Sequence, residues 1–266
     1  MNTPHRHVLA LLGALVLAST PSWSATVVYQ NDFNSPVGWT DMSGNGTGIS
    51  FTPVNTLYGS AFQQTFTVET IKIAGNANYS DPSGTGGAYS LGMLASAQND
   101  LLSLTFNASG LAFVNVKMDF AGMGPVACPQ CGGPFAFAGE IPIFDFSLYD
   151  TPSGAFVMGS PGTQLSTGAL IGTAIASTTT LGWDTGTVSL ATTGTTNGQV
   201  TLLIDLRAGF GFAGYAAFDN LVIASSDKPG DITPAPATVA EPSTAALVAM
   251  AAFACLMGTR RARRSL

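Results

Sequence analysis

The chain has 266 residues, of which 46% are hydrophobic and only 9% charged, with a formal net charge of −6. Fifteen Asp and Glu against nine Lys and Arg leave no basic footprint for a phosphate backbone, which argues against nucleic acid as a partner. Both histidines, His5 and His7, sit at the extreme N-terminus. The rest of the chain therefore has no means of Ser-His-Asp or Cys-His catalysis and no His-ligated zinc.

In chain order, the first segment reads as an export signal. His5, Arg6 and His7 are weakly basic, Val8 to Ala18 is apolar apart from Gly13, and Ser22-Trp23-Ser24 offers small-x-small spacing. A signal peptide over 1–24, cut after Ser24 by signal peptidase, is expected. Its apolar run is too short for a hydrocarbon core of about 30 Å. Between residues 25 and 239 there are four basic and fourteen acidic side chains, a net charge of −10. Low charge density with abundant Gly, Ser, Thr and Asn suits an extracellular surface wetted by hydroxyls and amides.

Residues 25–224 are expected to form one all-β domain. In Phe62 to Ile73 the apolar face switches, with Phe66 and Val68 on one parity and Ile71 and Ile73 on the other; a bulge near Glu69-Thr70 is the expected cause. Leu102, Leu104 and Phe106 alternate, then Asn107-Ala108-Ser109-Gly110 predicts a hairpin turn into Val114, Val116, Met118 and Phe120. Phe144, Phe146 and Leu148 form a third apolar face, and Val200, Leu202, Ile204 and Leu206 another. Gly168 to Thr180, rich in Ala, Ile and Thr, favours strand over helix. Before Ala240 no window shows a capped helical period. Antiparallel strands with turn-rich connections predict a β-sandwich of the jelly-roll kind. The sequons Asn45-Gly46-Thr47 and Asn107-Ala108-Ser109 read as turns.

Cys128 and Cys131 form Cys-Pro-Gln-Cys-Gly-Gly. Such a spacing serves a redox pair, half a zinc site or a closed structural loop. Zinc lacks two further ligands, and a redox site would open a helix after a strand, whereas this one lies among Gly and Pro. A local disulfide in an oxidising exported compartment is the expectation. Residues 225–239 read as a Pro/Ala/Thr linker that holds the domain away from a membrane.

The last segment, 240–266, joins Glu241-Pro242-Ser243-Thr244 to an apolar stretch, with a short transmembrane helix expected over 244–258, and ends in Arg260, Arg261, Arg263 and Arg264. Those arginines suit the cytoplasmic side of a bilayer. This arrangement resembles a PEP-CTERM sorting signal, a tail found on exported proteins of Gram-negative bacteria that make exopolysaccharide. Ala240 stands where the motif has its first Pro. The resemblance implies recognition by exosortase through Glu241, Pro242, Ser243 and the arginines. It also implies a membrane-held intermediate and then a cell-surface or extracellular destination.

Within the body, Tyr29 to Asn34 and Ala217 to Ile223 resemble the first and last strands of jelly-roll modules in carbohydrate-binding and cell-surface proteins. The resemblance implies a structural calcium at Asp219, with Asp32, most of whose oxygen shell would come from backbone carbonyls. The alternative is that Asp219 and Asn220 hydrogen-bond at a strand edge. For stacking on sugar rings, loop-like contexts offer Trp39 with Asp41, Tyr58, Tyr79 with Asp81, Tyr89, and Trp183 with Asp184. For glycoside hydrolysis, which needs paired carboxyls, Glu69, Glu140 and Asp145 are the nominees. The expected function is a non-enzymatic, envelope-targeted surface or matrix protein that binds exopolysaccharide. A carboxylate-dependent polysaccharide enzyme and a structural protein without ligand are the alternatives.

Overall fold

The computed structural model describes residues 25–41, 48–64, 68–95, 100–108, 110–124, 137–153, 161–207 and 211–233. The signal peptide, the Cys128–Cys131 loop, the sorting tail with its 244–258 segment, Phe66, Asn45-Gly46-Thr47 and Ser109 lie outside the described residues. Among the described residues no helix is long and apolar enough to cross a membrane.

Two antiparallel sheets pack face to face. The front sheet runs β10 (Asp184–Ala191), β7 (Phe113–Gly122), β12 (Tyr215–Ser226), β5 (Tyr89–Leu94), β4 (Glu69–Lys72) and β2 (Ile49–Ser50). β1 (Thr26–Asn31) joins β12 on the side where β5 also pairs, β5 taking residues 215–218 and β1 residues 221–225. The back sheet runs β3 (Gln63–Gln64), β6 (Leu101–Asn107), β11 (Gln199–Leu206), β8 (Ile143–Asp150) and β9 (Thr163–Ile171). Consecutive strands from β5 to β8 and from β9 to β12 alternate between the sheets in jelly-roll fashion, while β8–β9 and β4–β5 pair within one.

The two-residue periods place the core. Val114, Val116, Met118 and Phe120 of β7 face Phe144, Phe146, Leu148, Val200, Leu202, Ile204 and Leu206 of the back sheet, and all are buried. Edge-to-face rings stitch the layers: Phe33 to Phe218 at 5.9 Å, Phe218 to Phe144 at 5.6 Å, Phe144 to Phe120 at 5.7 Å. A single helical turn, α1 (Val54–Tyr58), buries Val54 and Leu57 and stops at the left-handed Gly59.

A second cluster lies on the outward side of the front sheet. Ile71, Tyr79, Met123, Ile175, Leu181 and Tyr215 are buried there together. The segments 73–88 and 172–183 supply this roof, and they bond to each other and to the end of β7: Ser80 N to Thr179 O (2.8 Å), Leu181 N to Ser80 O (2.9 Å), Gly124 N to Thr178 O (2.8 Å). Gly122 matters here because a Cβ on it would lie 2.6 Å from Ile175.

Four local expectations are corrected. The Asn107–Gly110 turn is not a hairpin, since β6 pairs β3 and β11 whereas β7 pairs β10 and β12; the chain crosses between sheets there. The face switch in 62–73 has the same origin. β3 belongs to the back sheet and β4 to the front, and the β4–β5 register runs without a bulge. In 168–180 only the start is strand, because β9 ends at Ile171 and the chain turns up into the roof. The linker does not begin at 225: β12 runs through Ser226, and residues 227–233 fold back on β7. Buried Asn115 donates to the carbonyls of Lys228 (3.0 Å) and Asp231 (2.8 Å), accepts from Gly230 N (2.9 Å), and Ala25 N donates to Thr233 O (3.2 Å). The domain thus extends at least to Thr233.

Candidate functional site

Asp219 sits where β12 departs from regular pairing. Its backbone faces Asp119 of β7, the register shifts between Asp219 and Val222, and Asn220 has φ 50°, a left-handed conformation that Asn tolerates better than most residues. Asp219 shares the outward parity of Tyr215 and Ala217 and is fully buried beneath the roof, and the bulge after it returns Leu221 and Ile223 to the core face. Its Oδ1 accepts from Asn220 N (2.6 Å) and its Oδ2 from Ser90 Oγ at 3.4 Å. The Asn220 amide donates to Asp119 Oδ2 (2.8 Å) and to the Thr85 carbonyl (3.2 Å), and Thr185 Oγ1 donates to Asp119. Burial, with smaller contributions from Asp32 and Asp119, pushes the Asp219 carboxyl up to about 8 despite the Asn220 and Ser90 hydrogen bonds.

Asp32 is exposed at the end of β1, and its Oδ1 accepts from Asn34 N at 3.2 Å. The oxygens gathered here are hard donors, which suits calcium rather than a softer metal. Among the described residues no group of three His, Cys, Asp or Glu is arranged to hold a metal ion. A cation at Asp219 would therefore draw most of its shell from backbone and amide oxygens.

Across Gly86 from this cluster stands Trp183. A Cβ on Gly86 would fall 2.4 Å from the indole and 3.0 Å from Ser90 Oγ, so the ring and the Asp219 cluster share one glycine wall. The loop carrying Gly86 is shaped by Asp81, whose carboxylate accepts from the N–H groups of Ser83, Gly84 and Gly86. Trp183 lines a cavity of about 280 Å³ with Thr173, Ile175, Ser177, Thr180 and Asp184. Asp184 does not point free charge into it, since its oxygens accept from Thr173 N (2.5 Å) and Thr173 Oγ1 (2.8 Å) and so fix the rim. The Trp183 Nε1 is buried without a hydrogen-bond partner. A buried donor left in this state is costly.

The other aromatic nominees serve the fold more than the surface. Tyr79 is buried and donates to Gly124 O (2.6 Å), and Tyr58 donates to Phe33 O (3.1 Å). Trp39 and Tyr89 form a half-buried tilted pair at 5.3 Å, with Trp39 Nε1 donating to Thr70 O at 3.4 Å. Asp41 accepts from Gly48 N (3.1 Å).

The nominated carboxyls are not brought together. Glu69 is buried on the front sheet, where it accepts from the Tyr215 hydroxyl; burial, reinforced by Asp100, pushes it up to about 8 against that hydrogen bond. Asp145 lies on the outward side of the back sheet, paired with Arg207. Glu140 accepts from Phe137 N (2.8 Å) in the loop before β8. Sequence reasoning missed Asp119, Ser90, Tyr215, Asp205 and Arg207. Asp119 and Asp205 were accessible, since each has the outward parity of a recognised strand; Ser90 and Tyr215 become visible only once strand pairing is known.

No protein-family model and no curated protein matches the chain. Among solved structures it is similar to TmCBM61 in complex with beta-1,4-galactotriose, at 12% identity and a TM-score of 0.34, covering 66% of this chain and 90% of that one. It is also similar to the CBM22-1 xylan-binding domain from Paenibacillus barcinonensis, at 10% identity and a TM-score of 0.36 over 79% and 99% of the two chains. A Stig cyclase from Fischerella sp. TAU aligns at 15% identity and a TM-score of 0.46, over 77% and 99%. These are distant likenesses of β-sandwich architecture, and carbohydrate-binding modules are among them.

Proposed function

We propose that the chain is an exported, non-enzymatic surface or matrix protein whose β-sandwich binds polysaccharide through the Trp183 cavity. The observation that carries this reading is the unpartnered, buried indole N–H of Trp183 beside the hydroxyls of Thr173, Ser177 and Thr180. A sugar ring offers that combination its complement: a face for the aromatic edge, and hydroxyls that both accept and donate. The volume suits one sugar unit rather than a deep chain-long tunnel. The acidic, charge-poor body favours a neutral glycan over a polyanion.

Export by the signal peptide and delivery through Glu241, Pro242, Ser243 and the arginine cluster belong to the same proposal, with exosortase as the processing partner. Calcium at Asp219 and Asp32 would brace the wall that Gly86 and Ser90 provide for Trp183, and so tune affinity from behind the ring. The test is a glycan array on the purified protein, with calcium and with chelator. Binding to at least one neutral glycan is expected, with Thr180→Val and Trp183→Phe each weakening it at least tenfold. A blank array under both conditions would sink the reading, and binding untouched by both variants would move the site elsewhere.

A further inference from the structure

The outward face of the back sheet carries a second polar feature. β8 and β11 run side by side with Asp145 opposite Asp205. Arg207, just beyond β11, reaches back to Asp145 with both Nε (2.8 Å) and Nη2, a bidentate pair that fixes the guanidinium plane. That plane also lies over the Phe212 ring, 5.7 Å from its centre. Around it an open groove of about 490 Å³ is lined by Asp145, Ser147, Thr167, Gly168, Ala169 and Arg207. Ala169, the small residue opposite Asp145, keeps the floor low there, so the groove is a trough along the strands rather than a pit.

Its chemistry selects a class of occupant. An arginine held by two of its N–H groups retains others to donate, and Asp145 keeps lone pairs to accept. Ser147 and Thr167 add hydroxyls of either sense. Asp205, whose Oδ1 is buried without a hydrogen-bond partner, adds acid beside the pair. Burial and Asp145 push its carboxyl up to about 6. The arginine charge is already matched, so an anionic polymer gains little here. Alternating donors and acceptors along a shallow trough suit a neutral, hydroxyl-rich chain.

We propose that this groove is a second glycan site, and that the protein bridges two neutral polysaccharide chains, one on each outward face of the sandwich. The inference rests on the glycan reading of the Trp183 cavity. The two sites belong to different sheets, which pack about 10 Å apart and face away from each other, so one short chain does not fill both. Two weak sites on one rigid body give large gains in avidity on a polymer network without new contacts.

The test titrates the full protein with laminarin, galactan, xylan and dextran, and with the oligosaccharides of whichever binds. Expected are two oligosaccharides per protein and a rise in light scattering when protein meets the long polymer. Ala169→Tyr, which fills the trough beside Asp145 while leaving both charges in place, and Arg207→Gln, which removes its donors, should each lower the stoichiometry to one and abolish the scattering. Their melting curves establish folding. A stoichiometry of one in the parent protein, dependent on Trp183, overturns the second site and leaves the first. Two sites undisturbed by both variants also overturn it, as does tighter binding of alginate than of any neutral polymer. No binding to any glycan fails the Trp183 reading itself.

Discussion

The outward face of the front sheet is roofed by the segments 73–88 and 172–183, whereas among the described residues no second buried apolar cluster covers the outward face of the back sheet. The same strand chemistry ends differently under the two covers. Beneath the roof, Glu69 and Asp219 lose water and hold their protons to about 8. On the outward face of the back sheet, Asp145 pairs with Arg207. A roof also differs from a core. Its apolar residues rest on one sheet and on loops bonded to each other, so it can loosen while the interlocked rings of Phe33, Phe218, Phe144 and Phe120 stay in place.

Truncation in the two layers should separate them most strongly. Phe144 is fully buried between sheets and touches the rings of Phe120 and Phe218, so Phe144→Ala should cost about 3–5 kcal/mol. Ile175, on a roof loop that can settle into the space it leaves, should cost about 2 kcal/mol as Ile175→Ala. Denaturant melts of both variants check this. Equal losses would mean that the roof is as rigidly built as the core.

The protonation contrast is read from its direction with pH. The folded pKa values of Glu69 and Asp219 lie above the ordinary carboxylate range, so the folded state holds protons that the unfolded chain has released. Their stabilisation is complete below about pH 4 and is lost as pH rises through about 8. Asp150 acts in the opposite sense: its carboxyl is held below the usual range by Thr196 and Thr195 hydrogen bonds, so its contribution is lost at the acid end. Thermal melts in chelator, which keeps calcium off Asp219, should therefore fall toward alkali from pH 5 to 9, and Glu69→Gln, which keeps an acceptor for Tyr215, should flatten the profile. A profile rising toward pH 9 would contradict the buried, protonated state of both groups.

Strand existence was legible in the sequence because a half-buried strand writes its burial into alternate residues. Val114 to Phe120 of β7, Phe144 to Leu148 of β8 and Val200 to Leu206 of β11 place every second residue in the core. The partner of each strand was not legible, because alternation marks a face and not a sheet. That is why Asn107–Gly110 looked like a hairpin and 62–73 looked bulged, when both are crossings between sheets. The roof was hidden for a related reason: Ile175 and Leu181 lie in a segment without a period, and their burial comes from contacts with distant strands. At the candidate site, Trp183 and Asp184 were visible as an aromatic next to an acid. That Asp184 anchors the rim rather than facing a ligand depends on where Thr173 returns, which no local pattern records. Asp219 was singled out by its place in the closing strand. Its burial comes from the roof over the outward face it shares with Tyr215 and Ala217, which no local pattern records.

The smallest expected effect concerns the outward face of the back sheet. Both partners of the Asp145–Arg207 pair are about a third exposed, at 33% and 39% of their side chains, so water and salt screen much of their attraction. The bidentate geometry favours the pair, but two half-solvated charges on a strand surface typically contribute less than about 1 kcal/mol. A double-mutant cycle with Asp145→Asn and Arg207→Gln should return a coupling within that range, and it should shrink in high salt. Arg207→Gln alone should cost slightly more than Asp145→Asn alone, because it leaves two carboxyls facing each other across β8 and β11 and raises the Asp205 carboxyl further. If the coupling instead reaches several kcal/mol and is insensitive to salt, the back-sheet face is enclosed, and the contrast between the two outward faces fails at that point.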